Sequence, residues 1–219
     1  GLIYSSDGHP VLIDPGYYQP TADAHSVMII NGQGPKAGES STLVEVASMG
    51  DTHFALFDLT DCYRVKKALT IENDATHISR AFLMYGREVL VVDQVQFSSG
   101  NSANTLVEQI QLAHKPRRLP GASRFIAHST EVDSGTEIEI RFWGHGWLSS
   151  TVGPRSFDQS WIFQRMAEAG EIEWHSLKAE HSFQKEFTSI WCLTSPGSSL
   201  DVEFDENGRR IRCQFSDGE

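Results

Sequence analysis

Apolar and polar residues alternate along most of this chain. Glu137 to Trp143 reads Glu-Ile-Glu-Ile-Arg-Phe-Trp, a period of two that turns one face of a strand toward a core and the other toward water. Runs rich in β-branched and aromatic residues recur at Leu2 to Ser5, Pro10 to Ile13, Ser26 to Ile30, Thr42 to Ala47 and His53 to Leu59. Tyr63 to Glu72, His77 to Met84 and Glu88 to Phe97 read as a three-stranded meander. Further strands are expected at Thr105 to Ala113, Arg124 to His128, Gln159 to Arg165, Glu171 to His175 and Glu186 to Thr194. Trp161 to Ala169 fits a short helix as well as a strand. Gly, Asn and Asp punctuate the runs, as in Ser6-Asp7-Gly8-His9, Asn31-Gly32 and Gly50-Asp51. Glu206-Asn207-Gly208, between Asp201 to Phe204 and Arg209 to Phe215, predicts a type I′ hairpin. Helical periodicity is weak throughout. The pattern predicts an all-β fold, a large antiparallel β-sandwich of about fourteen strands. No internal linker interrupts it, so residues 1–219 are expected to form a single domain.

Composition narrows the function. The chain is 39% apolar and 21% charged, enough to bury a core, and its net charge is -11. Lys and Arg are scattered, which argues against nucleic acid as a partner. No apolar run reaches the length of a membrane-crossing helix, and no signal peptide is expected from the pattern. The chain opens inside a strand pattern, at Gly1-Leu2-Ile3-Tyr4, without a methionine, as a trimmed piece of a longer protein would. Cys62, Cys192 and Cys213 have no zinc-motif spacing; they are expected as packed thiols, or as one bridge and one thiol. No phosphate-binding loop, Gly-x-Ser-x-Gly elbow or His-Glu-x-x-His helix is present.

Val11-Leu12-Ile13-Asp14-Pro15-Gly16-Tyr17-Tyr18 leads through a loop to Ala24-His25-Ser26. Asp14 and His25 have the donor chemistry of metal ligands. Two ligands are not a site, and by spacing alone they read first as a turn cap and a strand-edge histidine. Tyr17 and Tyr18 follow the turn, where they either pack the loop base or face a cleft. His114 precedes Lys115-Pro116-Arg117-Arg118 and has the same two readings. Trp143 and Trp147 flank Gly144-His145-Gly146; they either stack on sugars or pack at a sandwich edge. Arg80 and Asp93 are expected to pair structurally across the meander.

Four pieces in order carry a resemblance. They are Asp7-Gly8-His9-Pro10-Val11-Leu12-Ile13-Asp14 with Tyr17 and Tyr18, Ala24-His25-Ser26-Val27 leading to Asn31-Gly32-Gln33, Arg80-Ala81-Phe82-Leu83 with Val91-Val92-Asp93, and Glu108 to His114. Over residues 1–115 the chain resembles the β domain of heparinase II/III-like polysaccharide lyases. The resemblance implies β-elimination of uronic-acid polysaccharides such as glycosaminoglycans or alginate, with an N-terminal α/α toroid as partner domain. It also implies a secreted or periplasmic location, and a zinc whose ligands include Asp14 and His25. His114 is the expected substitute for a further ligand, and Tyr17, Tyr18, Trp143 and Trp147 are the expected sugar contacts. The family's His-rich motif would precede Gly1, its toroid carries acid and base residues, and Ser26 stands where Asn is usual. No catalytic residue is therefore assigned in this chain, and little activity is expected from it alone. The alternative is a non-catalytic carbohydrate-binding or structural sandwich.

Overall fold

The computed structural model describes residues 2–6, 8–14, 22–36, 39–64, 66–67, 70–71, 75–98, 103–120, 123–129, 136–144, 148–158, 171–204 and 211–216. The strands are β1 (Tyr4–Ser6), β2 (His9–Leu12), β3 (Met28–Ile30), β4 (Thr42–Met49), β5 (Thr52–Asp58), β6 (Lys66–Lys67), β7 (Thr70–Ile71), β8 (Ala75–Tyr85) and β9 (Glu88–Phe97). They continue with β10 (Asn104–Leu112), β11 (Arg117–Arg118), β12 (Arg124–His128), β13 (Glu137–Gly144), β14 (Leu148–Asp158), β15 (Glu171–Phe183), β16 (Glu186–Thr194), β17 (Ser199–Phe204) and β18 (Ile211–Ser216). Among the described residues the one α-helical turn, α1, is Thr60–Tyr63.

Two antiparallel sheets hold fourteen of these strands. The six-stranded sheet runs β1-β2-β10-β15-β14, with β3 also on β10. The eight-stranded sheet runs β11-β12-β13-β16-β9-β8-β5-β4. The expected all-β sandwich is what forms, and alternation explains it. Ile138, Ile140 and Phe142 of β13 meet Val89, Val91, Trp191 and Leu193 of the same sheet and Ile110, Leu112 and Leu177 of the other. Each inward position removes an apolar side chain from water, worth roughly 1.5–3 kcal/mol apiece. The outward positions of the eight-stranded sheet form a second layer, in which Leu90, Ile190, Cys192 and Trp143 pack under Leu200 and Val202 of β17.

One polar cluster sits in the core. Arg80 of β8 donates through Nε and Nη2 to both carboxylate oxygens of Asp93 on β9, at 2.7 and 2.8 Å. Nη2 also reaches Glu108 Oε2 on β10 at 3.2 Å, and Ser189 donates to Glu108 Oε1 at 2.6 Å. The expected Arg80–Asp93 pair is thus extended by Glu108 into a tie between the two sheets. Burial and the neighbouring Asp93 carboxylate push the Glu108 carboxyl well above the usual glutamate range. Cys62 and Cys192 are buried free thiols, both pushed up by burial, Cys192 to about 12.

Three expectations change. The strand expected from Tyr63 to Glu72 begins instead as the end of α1, and only the short β6 and β7 follow. The Asp58 carboxylate accepts from the Thr60 N–H at 2.8 Å and its hydroxyl at 2.6 Å. That local bonding competes with a continuing ladder, and the two bonds hold the Asp58 carboxyl below its usual range. β14 has no counterpart in the expected strands because Gly153-Pro154 lies in its middle. It is tolerated because β14 is the sheet edge, paired only to β15, where a missing N–H breaks no second ladder. The short strand expected at Glu171 to His175 extends to Phe183, completing that pairing. The strand expected at Gln159 to Arg165 and the Glu206-Asn207-Gly208 turn lie outside the described residues.

Candidate functional site

Asp14 and His25 come together on the outer face of the six-stranded sheet. β2 pairs with β10 through Leu12 and Leu112, and the Ile13 N–H continues the pairing to the Gln111 carbonyl at 3.0 Å. Asp14 follows at the strand's end. The return segment makes a 3-10 turn at Ala22–Ala24 and presents His25, whose Nδ1 lies 2.9 Å from Asp14 Oδ1. Both side chains are largely sheltered.

The outward residues of β10 fasten this segment. Gln109 Nε2 donates to the carbonyls of Ala22 and His25, at 3.3 and 3.0 Å. Gln111 Nε2 donates to the His25 carbonyl at 3.3 Å, and Ser26 Oγ accepts from the Gln111 N–H at 3.0 Å. Trp174 of β15 donates to Gln111 Oε1 at 2.7 Å and packs with Ala24 and Ile13. Gln109, Gln111, Ser26 and Trp174 are all buried, so His25 is held by groups with little room to move. Sequence reading missed these fasteners. The signal was slight: Gln109 and Gln111 alternate with apolar partners as water-facing residues do, and nothing local says that a distant loop covers them.

An imidazole nitrogen and a carboxylate oxygen are donor types that zinc takes; at 2.9 Å the two stand at hydrogen-bond separation, and as two corners of a tetrahedral site with bonds of about 2.0–2.2 Å they would lie about 3.4 Å apart. Among the described residues no group of three His, Cys, Asp or Glu could hold a metal. The register sets His114 apart. Leu12 opposes Leu112, so His114 falls level with Pro10 while Asp14 falls level with Ile110. Four residues of strand, about 13 Å, separate the two levels.

A cavity of about 470 Å³ borders the fastened segment, within the size range of small-molecule sites. Gln109, Ser149, Thr151, Lys178 and Glu180 line it from three adjacent strands. Trp143 lies on the opposite outer face, in the layer under β17, with the Arg141 guanidinium 5.4 Å over its ring. It shares no surface with Asp14 and His25. Tyr17, Tyr18 and Trp147 lie outside the described residues.

No family model matches the chain, and no curated protein matches it in sequence. Solved structures do match in shape. A heparinase III structure with methylated lysines superposes at a TM-score of 0.72 over 97% of this chain, at 11% identity. The chain shares the fold of the third of heparinase III that it covers. A second crystal structure of heparinase III gives 0.69 over 95% at 12% identity. The heparan sulfate lyase HepC from Pedobacter heparinus gives 0.66 over 98% at 10% identity. The chain covers 33%, 33% and 36% of those three proteins, so it spans about a third of the heparinase length.

Proposed function

We propose that residues 1–219 are a single sandwich domain of a heparinase II/III-like polysaccharide lyase, working with an α/α toroid in a secreted or periplasmic enzyme. The observation that carries this reading is the Asp14–His25 contact. Two residues chosen by resemblance, eleven positions apart, meet within hydrogen-bond distance on a fold shared with heparinase III.

In this reading Asp14 and His25 are two ligands of a zinc whose remaining ligand comes from outside the described residues. The bound ion would stiffen the loop base and supply positive charge beside the sugar. β-Elimination at a uronate needs the carboxylate neutralised, a base for the adjacent C–H and an acid for the leaving oxygen. This chain contributes one wall. Lys178 offers an ammonium to an acidic sugar, Ser149 and Thr151 offer hydroxyls, and Gln109 and Gln111 keep His25 in place. Proton transfer falls to residues of the partner domain, so the isolated chain is expected to turn over little. No observation favours the non-catalytic stacking alternative, since Trp143 is half-buried and capped by Arg141.

The test is a titration of the chain with heparan sulfate and alginate oligosaccharides, followed by amide chemical shifts and by absorbance of unsaturated product. The reading predicts shifts at Thr151, Lys178 and His25, none around Trp143, and negligible product. Shifts centred on Trp143, or steady turnover by the chain alone, would contradict it.

A further inference from the structure

A second cavity, of about 280 Å³, is lined from both sheets; Ser26 and Val27 border it, but neither Asp14 nor His25 lines it. Its walls are partly apolar, with Met28, Leu59, Phe57 and Phe82, and partly polar, with Ser26, Glu39 and Ser41; the Phe57 and Phe82 rings meet edge to face at 6.0 Å. Arg80 also lines it, with 11% of its side chain open. Nε and Nη2 of that guanidinium are occupied by Asp93 and Glu108. Nη1 bonds to no group among the described residues. Its two N–H donors are therefore available to a ligand in this cavity.

Charge decides what these donors take. Asp93 already matches the guanidinium through two short bonds. Glu108 adds a second carboxyl, and exposed Glu39 adds another at the cavity wall. An anion entering here would meet no uncompensated positive charge, and burying it would be costly. A neutral acceptor with a small apolar body meets no such penalty.

We propose that this cavity is a binding site for a neutral carboxamide, an acetamido-type group whose carbonyl accepts from Arg80 Nη1. Its methyl end lies against Phe57 and Phe82. Its N–H turns outward to Glu39 and Ser41, which are also cavity-lining. The site is independent of the lyase reading, because it uses neither Asp14, His25 nor the outer-face cavity.

Acetamide and acetate share a shape and differ in charge, so they are the probes. Each is titrated into the chain near neutral pH while the Arg80 side-chain and the Phe57 and Phe82 ring resonances are followed. Saturable shifts with acetamide, at least about tenfold tighter than with acetate, are the expected result. Ser41→Trp and Glu39→Trp, at exposed positions on the cavity wall, should each weaken acetamide binding at least about tenfold with the melting temperature unchanged. Acetate binding as well as acetamide, no saturable shift with acetamide, or undiminished binding in both tryptophan variants would overturn the proposal.

Discussion

Trp174 and Gln111 are joined by a 2.7 Å hydrogen bond from the indole N–H to the amide oxygen, and that bond fixes which way the Gln111 amide faces. Its nitrogen is thereby aimed at the His25 carbonyl and at Ser176 Oγ. The orientation of His25 thus depends on β15, far away in sequence. Gln111→Leu keeps the bulk and removes both roles. It should leave the sandwich folded, and, in the proposed reading of His25 as a zinc ligand, zinc affinity should fall about 10–100-fold. A competition titration with a chelator measures this.

Gly144 is required by a close approach. A Cβ there would lie 2.7 Å from His181 Cε1 and Nδ1 and 3.0 Å from Phe187 Cζ. His181 is fully buried and stacked near Phe187, with ring centres 4.7 Å apart. Gly144→Ala should therefore destabilise by about 1–3 kcal/mol, read from urea unfolding. The loss should shrink when His181 is also Ala.

His181 makes acid stability testable. Burial pulls its pKa down to about 4 from 6.5, and neither ring nitrogen has a hydrogen-bond partner among the described residues. Between these values the unfolded chain takes up a proton that the folded chain refuses. Its contribution to stability is intact above pH 6.5 and declines as the pH falls toward 4, by about 3 kcal/mol in all. The stability difference between wild type and His181→Leu should therefore change by about that amount across this window. A flat difference would contradict the assignment.

Asp93 and Glu108 should behave oppositely despite touching one guanidinium. Asp93→Asn removes the bidentate partner of buried Arg80 and should cost about 3–5 kcal/mol. The Glu108 carboxyl is raised, so the stability it contributes is full below the ordinary glutamate range and is lost as the pH rises through its folded value. Glu108→Gln should remove that dependence and gain on wild type as the pH rises above the ordinary glutamate range. Denaturant unfolding of both variants across this rise measures it.

The sandwich was legible because alternation marks inward positions directly, as in Ile138, Ile140 and Phe142. β14 was not, because Gly153-Pro154 forbids an interior strand but not an edge one, and edge position is a tertiary fact. Asp14 and His25 were picked out by resemblance, since their spacing alone permits a turn cap and an ordinary histidine. Gln109, Gln111 and Trp174 left no mark, because polar residues covered by a remote loop have the same periodicity as solvated ones. His114 was set apart by strand register, which no local pattern specifies.

Zinc content of the purified chain, measured beside His25→Ala and Asp14→Asn, decides whether the Asp14–His25 pair holds a metal. Zinc should be bound by wild type and strongly reduced in both variants, with folded far-ultraviolet spectra retained. Wild type without zinc after dialysis against the metal, or zinc undiminished in both variants, would contradict the proposed site.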